Sequence, residues 1–162
     1  MKQGTIVAVC TSPNPGFPKH PREHVTVDYF GLRGDFHCRE KRKSFKDPTI
    51  EKFNDRQITI VSKEHLDLLA RELGKDFSPG SLAENITTLG LGDLAEVEPG
   101  TLIRINCEII LKVTEQNEPC KKLLVYHNQQ AFDLCLHRRG LLCTVEQGID
   151  YVIRAGYSIQ IL

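Results

Sequence analysis

From Leu102 to Thr114 the chain alternates. Ile103, Ile105, Cys107, Ile109, Leu111 and Val113 are apolar, and Arg104, Asn106, Glu108, Lys112 and Thr114 fall between them. Successive side chains of a strand point to opposite faces, so this period of two describes one strand, or two joined at a bend, with one face buried. Glu98-Pro99-Gly100 just ahead of it is a turn signal. Further short strand candidates are Gly4–Thr11, Glu23–Tyr29, Arg56–Val61, Leu82–Thr87, Leu141–Glu146 and Ser158–Leu162. Short strands punctuated by Gly and Pro predict a mainly β chain, closed as a barrel or packed as a sandwich. One helix reads clearly: Ser62 can cap it, Leu66, Leu69, Ala70 and Leu73 form its apolar stripe, and Gly74 can end it. A second helix is expected within Lys121–Arg139, with Gly140 as its stop. Between Arg33 and Arg56 the sequence predicts a long loop.

The chain has 162 residues, 40% of them hydrophobic and 26% charged, which is the balance of an ordinary globular domain rather than a disordered chain. No repeat or linker divides it, so a single domain over residues 1–162 is expected. Its 21 Lys+Arg cancel its 21 Asp+Glu, which argues against a globally basic nucleic-acid binder. No apolar run approaches the length of a membrane span, and the N-terminus does not read as a signal peptide. A cytoplasmic protein with neither membrane nor nucleic acid as partner is therefore the expectation. The zero balance is an average, however. Arg33, Arg39, Lys41, Arg42, Lys43 and Lys46 outnumber Asp35 and Glu40 in one segment, while Glu84, Asp93, Glu96 and Glu98 meet no cation in another.

The six cysteines are Cys10, Cys38, Cys107, Cys120, Cys135 and Cys143. No two have the spacing of a zinc ribbon or a thioredoxin motif, and a three-disulfide framework belongs to smaller secreted scaffolds. Several sit in apolar runs and read as small buried hydrophobes. Cys120 differs. It follows Pro119 and precedes Lys121 and Lys122, where a strand has ended and a helix begins. Ammonium groups and a helix N-terminus both stabilise a thiolate, which could act as nucleophile, persulfide carrier or soft metal ligand; the plainer alternative is an inert thiol beside solvated lysines. His37 lies in Gly31-Leu32-Arg33-Gly34-Asp35-Phe36-His37-Cys38 and could bind a phosphate or move a proton, or simply satisfy a loop carbonyl. Arg56, Lys121, Lys122, Arg138 and Arg139 could converge with the basic segment on a phosphorylated ligand, or lie solvated on the surface. Glu84 and Asn85 could fix a turn or face a ligand.

The order Gly31-Leu32-x-Gly34-Asp35-x-His37, Arg56-Gln57-Ile58-Thr59, Pro79-Gly80-Ser81-Leu82-Ala83-Glu84-Asn85-Ile86-Thr87, Pro119-Cys120 and Arg139-Gly140 resembles the MOSC family, named for the C-terminal domain of molybdenum-cofactor sulfurases. The resemblance implies a MOSC-type β-barrel with a few short helices, and a stand-alone single-domain member. It implies binding of the molybdenum cofactor, a phosphorylated pterin whose dithiolene holds the metal. Cys120 would be the molybdenum ligand or the carrier of persulfide sulfur. His37, Arg56, Lys121 and Arg139 would hold the cofactor, and Glu84 and Asn85 would line its pocket. The family includes sulfurases and small bacterial proteins linked to reduction of N-hydroxylated bases. The function so implied is sulfur carriage or a small molybdenum-dependent reductase module, with a partner protein donating sulfur or electrons. The chain has no room for a pyridoxal-phosphate domain, so that cofactor is not expected. The alternative is a non-catalytic module that binds an anionic ligand or docks on a larger enzyme. Gly156-Tyr157 stands where the family commonly has Gly-Asp, and Cys38 where it commonly has a small residue.

Overall fold

A computed structural model describes residues 2–162; Met1, the first residue of the expected domain, lies outside them. In chain order the strands are β1 (Lys2–Thr11), β2 (His20–Arg22), β3 (Val25–Asp28), β4 (Gly31–Leu32), β5 (Lys41–Lys43), β6 (Glu51–Phe53) and β7 (Ile58–Ser62). After helix α1 (Lys63–Leu73) come β8 (Ile86–Leu89), β9 (Leu102–Ile105) and β10 (Ile109–Gln116). Helices α2 (Lys121–Tyr126) and α3 (Gln129–Cys135) follow, then β11 (Leu141–Gln147), β12 (Val152–Ile153) and β13 (Ser158–Ile161).

The main sheet runs β13-β9-β10-β11-β7-β8-β1-β2, and β13 also pairs with β1, closing seven strands into a barrel. All of its pairings are antiparallel except β7 with β8, which run parallel. The alternating stretch is two strands, with Ile109 opposite Ile105 and Leu111 opposite Ile103. Asn106, in left-handed backbone with φ 48°, makes the bend between them. Cys107, expected among the buried residues of that face, is exposed because it falls in the bend. The buried side chains Ile58, Ile60, Ile103, Ile105, Leu111 and Val113 belong to one core. A second core forms where Val61, on the opposite face of β7 from Ile60, packs with Leu66, Leu69, Leu82, Leu123 and Cys135 beneath the helices.

Ser62 caps α1 by accepting the His65 N–H at 3.2 Å, and Gly74 ends it with φ 63°, as the sequence indicates. The second helical region is two short helices. Asn128 breaks it by accepting the Ala131 N–H at 2.8 Å as a fresh N-cap, and α3 stops at Cys135, well before Gly140. The expected loop over 33–56 contains the hairpin β5–β6, paired from Lys41–Phe53 to Lys43–Glu51. The strand expected at Leu82–Thr87 begins only at Ile86, because residues 82–85 form a turn.

Candidate functional site

That turn is the hub of the site. Gly80 and Leu82 donate their N–H groups to the two carboxylate oxygens of Glu84 at 2.7 and 3.1 Å, and the Thr87 hydroxyl adds a bond at 2.9 Å. Ala83 is in left-handed backbone at φ 61°. Asn85 accepts the Thr59 N–H at 3.1 Å and donates to the Cys10 carbonyl at 3.1 Å, binding the turn to β7 and β1. Glu84 and Asn85 are 1% and 0% exposed. Their polar groups are spent inside the fold, so they hold the turn and do not line a pocket. Burial pushes the Glu84 carboxyl above its ordinary value, against the pull of its backbone N–H donors.

The outer side of the turn receives Arg139. Its Nη2 donates to the Leu82 carbonyl at 2.9 Å and its Nη1 to the Glu118 carbonyl at 3.3 Å. The same Nη1 lies 4.0 Å from Cys120 Sγ. Arg139 is 7% exposed, and its buried Nε has no hydrogen-bond partner. Cys120 is exposed at the N-cap of α2. Glu118 accepts from the His137 backbone N–H at 3.1 Å and faces its Nδ1 at 2.8 Å, so the strand end that carries Cys120 is tied to the segment that carries Arg139. The guanidinium also lies over Phe17, 5.2 Å from the ring centre, and Phe17 stacks on Tyr126.

Two residues past Phe17 is Lys19, 2% exposed and absent from any motif visible in the sequence. Its backbone N–H donates to the Gly80 carbonyl at 3.0 Å, and its ammonium lies 2.9 Å from Asp35 Oδ2 and 3.3 Å from His37 Nδ1. Asp35 also accepts the backbone N–H groups of Ser12 at 3.0 Å and His37 at 3.1 Å. Burial would raise the Asp35 carboxyl, but the Lys19 ammonium and the backbone N–H donors around it outweigh burial and hold it well below the usual carboxylate range. The His37 side chain stays 37% exposed. An open cavity of about 460 Å³ adjoins this region, walled by Lys19, Lys75, Ser81, Tyr126 and His127. The Ser81 hydroxyl is buried without a partner.

The segment from Phe17 to Lys19 thus links Cys120 and Arg139 on one side to Asp35 and His37 on the other. Arg56 is tied to this region through the backbone, since Asn54 bonds both its N–H and the His37 carbonyl. Its guanidinium turns elsewhere, to Glu115 at 2.5 Å and over Phe45 at 4.5 Å. Lys121 is exposed beside Cys120. All six cysteines are free. Burial pushes the Cys135 thiol up to about 11 and, with Glu84 adding to it, the Cys10 thiol up to about 12; it raises the Cys143 thiol as well. These three are packing residues. Among the described residues no cluster of three or more His, Cys, Asp or Glu could by itself hold a metal ion, and no helix is long and apolar enough to cross a membrane.

A family model described as the MOSC domain matches residues 34–160. YuaD of Bacillus subtilis (strain 168), whose name proposes a part in metal-sulfur cluster biosynthesis, is 29% identical over 141 residues, covering 77% of this chain and 73% of its own. The crystal structure of the YuaD protein from Bacillus subtilis superposes with a TM-score of 0.85 at 24% identity, over 98% of this chain and 95% of that one. YiiM from Geobacillus stearothermophilus superposes with a TM-score of 0.69 at 21% identity, over 98% and 75%. The structural likenesses speak for the barrel and its appended helices. The family match spans the Asp35–His37 loop, the 80–85 turn, Cys120 and Arg139, and on it the chain belongs to the MOSC domain family.

Proposed function

We propose that this MOSC domain is a sulfur carrier whose working thiol is Cys120, acting beside a bound molybdenum cofactor. The observation that carries the reading is the pairing of an exposed thiol with a buried guanidinium, Arg139 Nη1 lying 4.0 Å from Cys120 Sγ. The thiolate is the form that accepts sulfur, and the guanidinium stands where it can serve that form as counter-ion. In the loading step the Cys120 thiolate attacks the outer sulfur of a donor persulfide. The S–S bond of the donor breaks, its inner sulfur leaves as a thiolate, and Cys120 keeps the transferred sulfur as a persulfide. Arg139 then faces an anion again, so the two states share one counter-ion.

The residues present fit a phosphorylated, sulfur-bearing cofactor. Arg139 keeps an unpaired Nε donor in a buried position, His37 offers an exposed ring edge, and Lys121 adds an exposed cation next to the thiol. When bound, the cofactor would supply the metal centre that receives sulfur or undergoes redox change. This chain's own residues would hold its phosphate, set a guanidinium beside Cys120 and position the strand end through Glu118 and His137. The name of YuaD, with its reference to metal-sulfur clusters, supports sulfur transfer over reduction.

The test is to treat the purified protein with a low-molecular-weight persulfide and map added sulfur by mass spectrometry. A second preparation from a host that makes molybdenum cofactor is assayed for pterin and molybdenum. Sulfur on Cys120 of the native protein, lost in Cys120→Ser, is expected. A Cys120 that stays unmodified while the exposed Cys107 reacts would overturn the carrier reading, and protein free of pterin from a competent host would overturn cofactor binding.

A further inference from the structure

Which nitrogen of His37 carries the proton decides what its partly exposed ring can offer a ligand. Nδ1 faces inward, 3.3 Å from the Lys19 ammonium and 3.4 Å from Asp35 Oδ2. Lys19 and Asp35 are themselves joined at 2.9 Å with side chains 1% and 0% exposed, so they form a buried ion pair with fixed positions. An ammonium can only donate, and a proton on Nδ1 would set two N–H groups against each other at that distance. The lone pair of Nδ1 is what Lys19 can bind.

We propose that Lys19 fixes His37 as the neutral tautomer protonated on Nε2, so that His37 presents the site with an N–H donor for an oxyanion instead of a metal-binding lone pair. The inner hydrogen bond of a histidine sets the role of its outer nitrogen. Other charged groups around the ring agree. Burial lowers the affinity of His37 for a second proton; Asp35 opposes this, while Lys19 and Arg39 add to it, and the net direction is downward. Arg39 is held nearby, donating to the Phe36 carbonyl at 2.6 Å and lying over the Phe36 ring, which meets the His37 ring edge-on. The downward direction agrees with a neutral ring whose one proton sits on Nε2. The tautomer stands on its own; what the Nε2–H meets rests on the anion-binding part of the function proposed above.

Long-range proton–nitrogen correlation on protein with ¹⁵N-labelled histidine reads the tautomer directly. The expected pattern is an unprotonated Nδ1 and a protonated Nε2 for His37 at neutral pH, assigned by its loss in His37→Asn. A proton on Nδ1, or an imidazolium, would overturn the proposal without any variant of the buried pair. In a folded Lys19→Met protein the proton should move toward Nδ1, facing Asp35 alone, and the titration midpoint of His37 should rise. An unchanged tautomer there would overturn Lys19 as its cause. Titration of the native protein with molybdate should shift the Nε2–H resonance saturably; a resonance that does not move overturns the donor role. Persulfide formation on Cys120, which uses no atom of His37, reports separately on the carrier reading.

Discussion

Arg139 Nη1 stands 4.0 Å from Cys120 Sγ while the Nη2 of the same guanidinium is bonded to the Leu82 carbonyl at 2.9 Å. One side chain therefore joins the exposed Cys120 thiol to the Gly80–Asn85 turn. Arg139→Gln should slow alkylation of Cys120 at neutral pH by about threefold to tenfold, corresponding to roughly 1 kcal/mol for a partly exposed charge contact. Arg139→Lys should recover only part of that rate, because an ammonium cannot bind Leu82 and Glu118 as a planar fork does. Timed iodoacetamide labelling with mass spectrometry measures both, with the exposed Cys107 as internal reference.

Glu84 accepts three bonds inside the turn. Glu84→Gln keeps the shape but places an NH₂ where one of the N–H donors now points. A loss of about 1–3 kcal/mol is expected, the usual penalty of an unsatisfied buried polar group. Urea unfolding of variant and parent measures it. A difference near zero would mean that the turn does not need its carboxylate.

The Lys19–Asp35 pair makes stability depend on acid. Asp35 has a folded-state proton affinity below that of the unfolded chain, so the unfolded state binds more protons as pH falls through the carboxylate range. The stabilisation by Asp35 is present above about pH 4 and is lost below it. Asp35→Asn, which leaves Lys19 buried and unpaired, should cost about 3–5 kcal/mol at neutral pH. The gap between parent and variant should narrow steadily as the buffer is acidified, as followed by denaturant unfolding at several pH values.

Gly80 and Gly34 both belong to motifs and both have positive φ, at 90° and 85°, yet they should respond differently to alanine. A Cβ at Gly80 would lie 2.1 Å from the Lys19 carbonyl oxygen, whereas one at Gly34 meets nothing within 4 Å. Gly34→Ala should cost about 1 kcal/mol from backbone strain alone. Gly80→Ala must also push Lys19 away, so a loss of several kcal/mol is expected, together with a change in the His37 resonances. Thermal unfolding of the two variants side by side tests the contrast.

What the sequence made legible follows from how local each signal is. Ser62 and Gly74 act on residues three or four positions away, and the alternation of Ile103 to Val113 is visible in one strand pair, so α1 and β9–β10 could be read. The hairpin β5–β6 was hidden because Lys41, Lys43, Glu51 and Lys52 are exposed and leave no apolar period. The break at Asn128 lies inside the stretch expected as one helix, and it rests on a single side-chain bond to the Ala131 N–H. Cys120 and Arg139, nineteen residues apart, lie 4.0 Å from one another, a proximity that only the folded chain shows. Glu84 and Asn85 were rightly noticed for their polarity, and one of the two readings left open for them, the fixing of a turn, is what they do. Lys19 had no signal at all. It sits in a Pro- and Gly-rich run, and its partner Asp35 is sixteen residues away, so nothing short of the folded chain shows that its charge is buried.

The single parallel pairing in the barrel has a consequence for how such a site can vary. Antiparallel neighbours can be joined by a two-residue turn, whereas β7 and β8 run the same way, and the chain must travel back before β8 can start. That return passes through α1 and delivers the Gly80–Asn85 turn against Thr59. The site is therefore mounted on a detour rather than on the barrel wall. Exchanges at the exposed Lys75 and Asp76, which stop short of the buried Phe77, would re-aim the cavity wall beside Lys19 while the seven closed strands kept their register, so this fold can acquire new specificities without rebuilding its core.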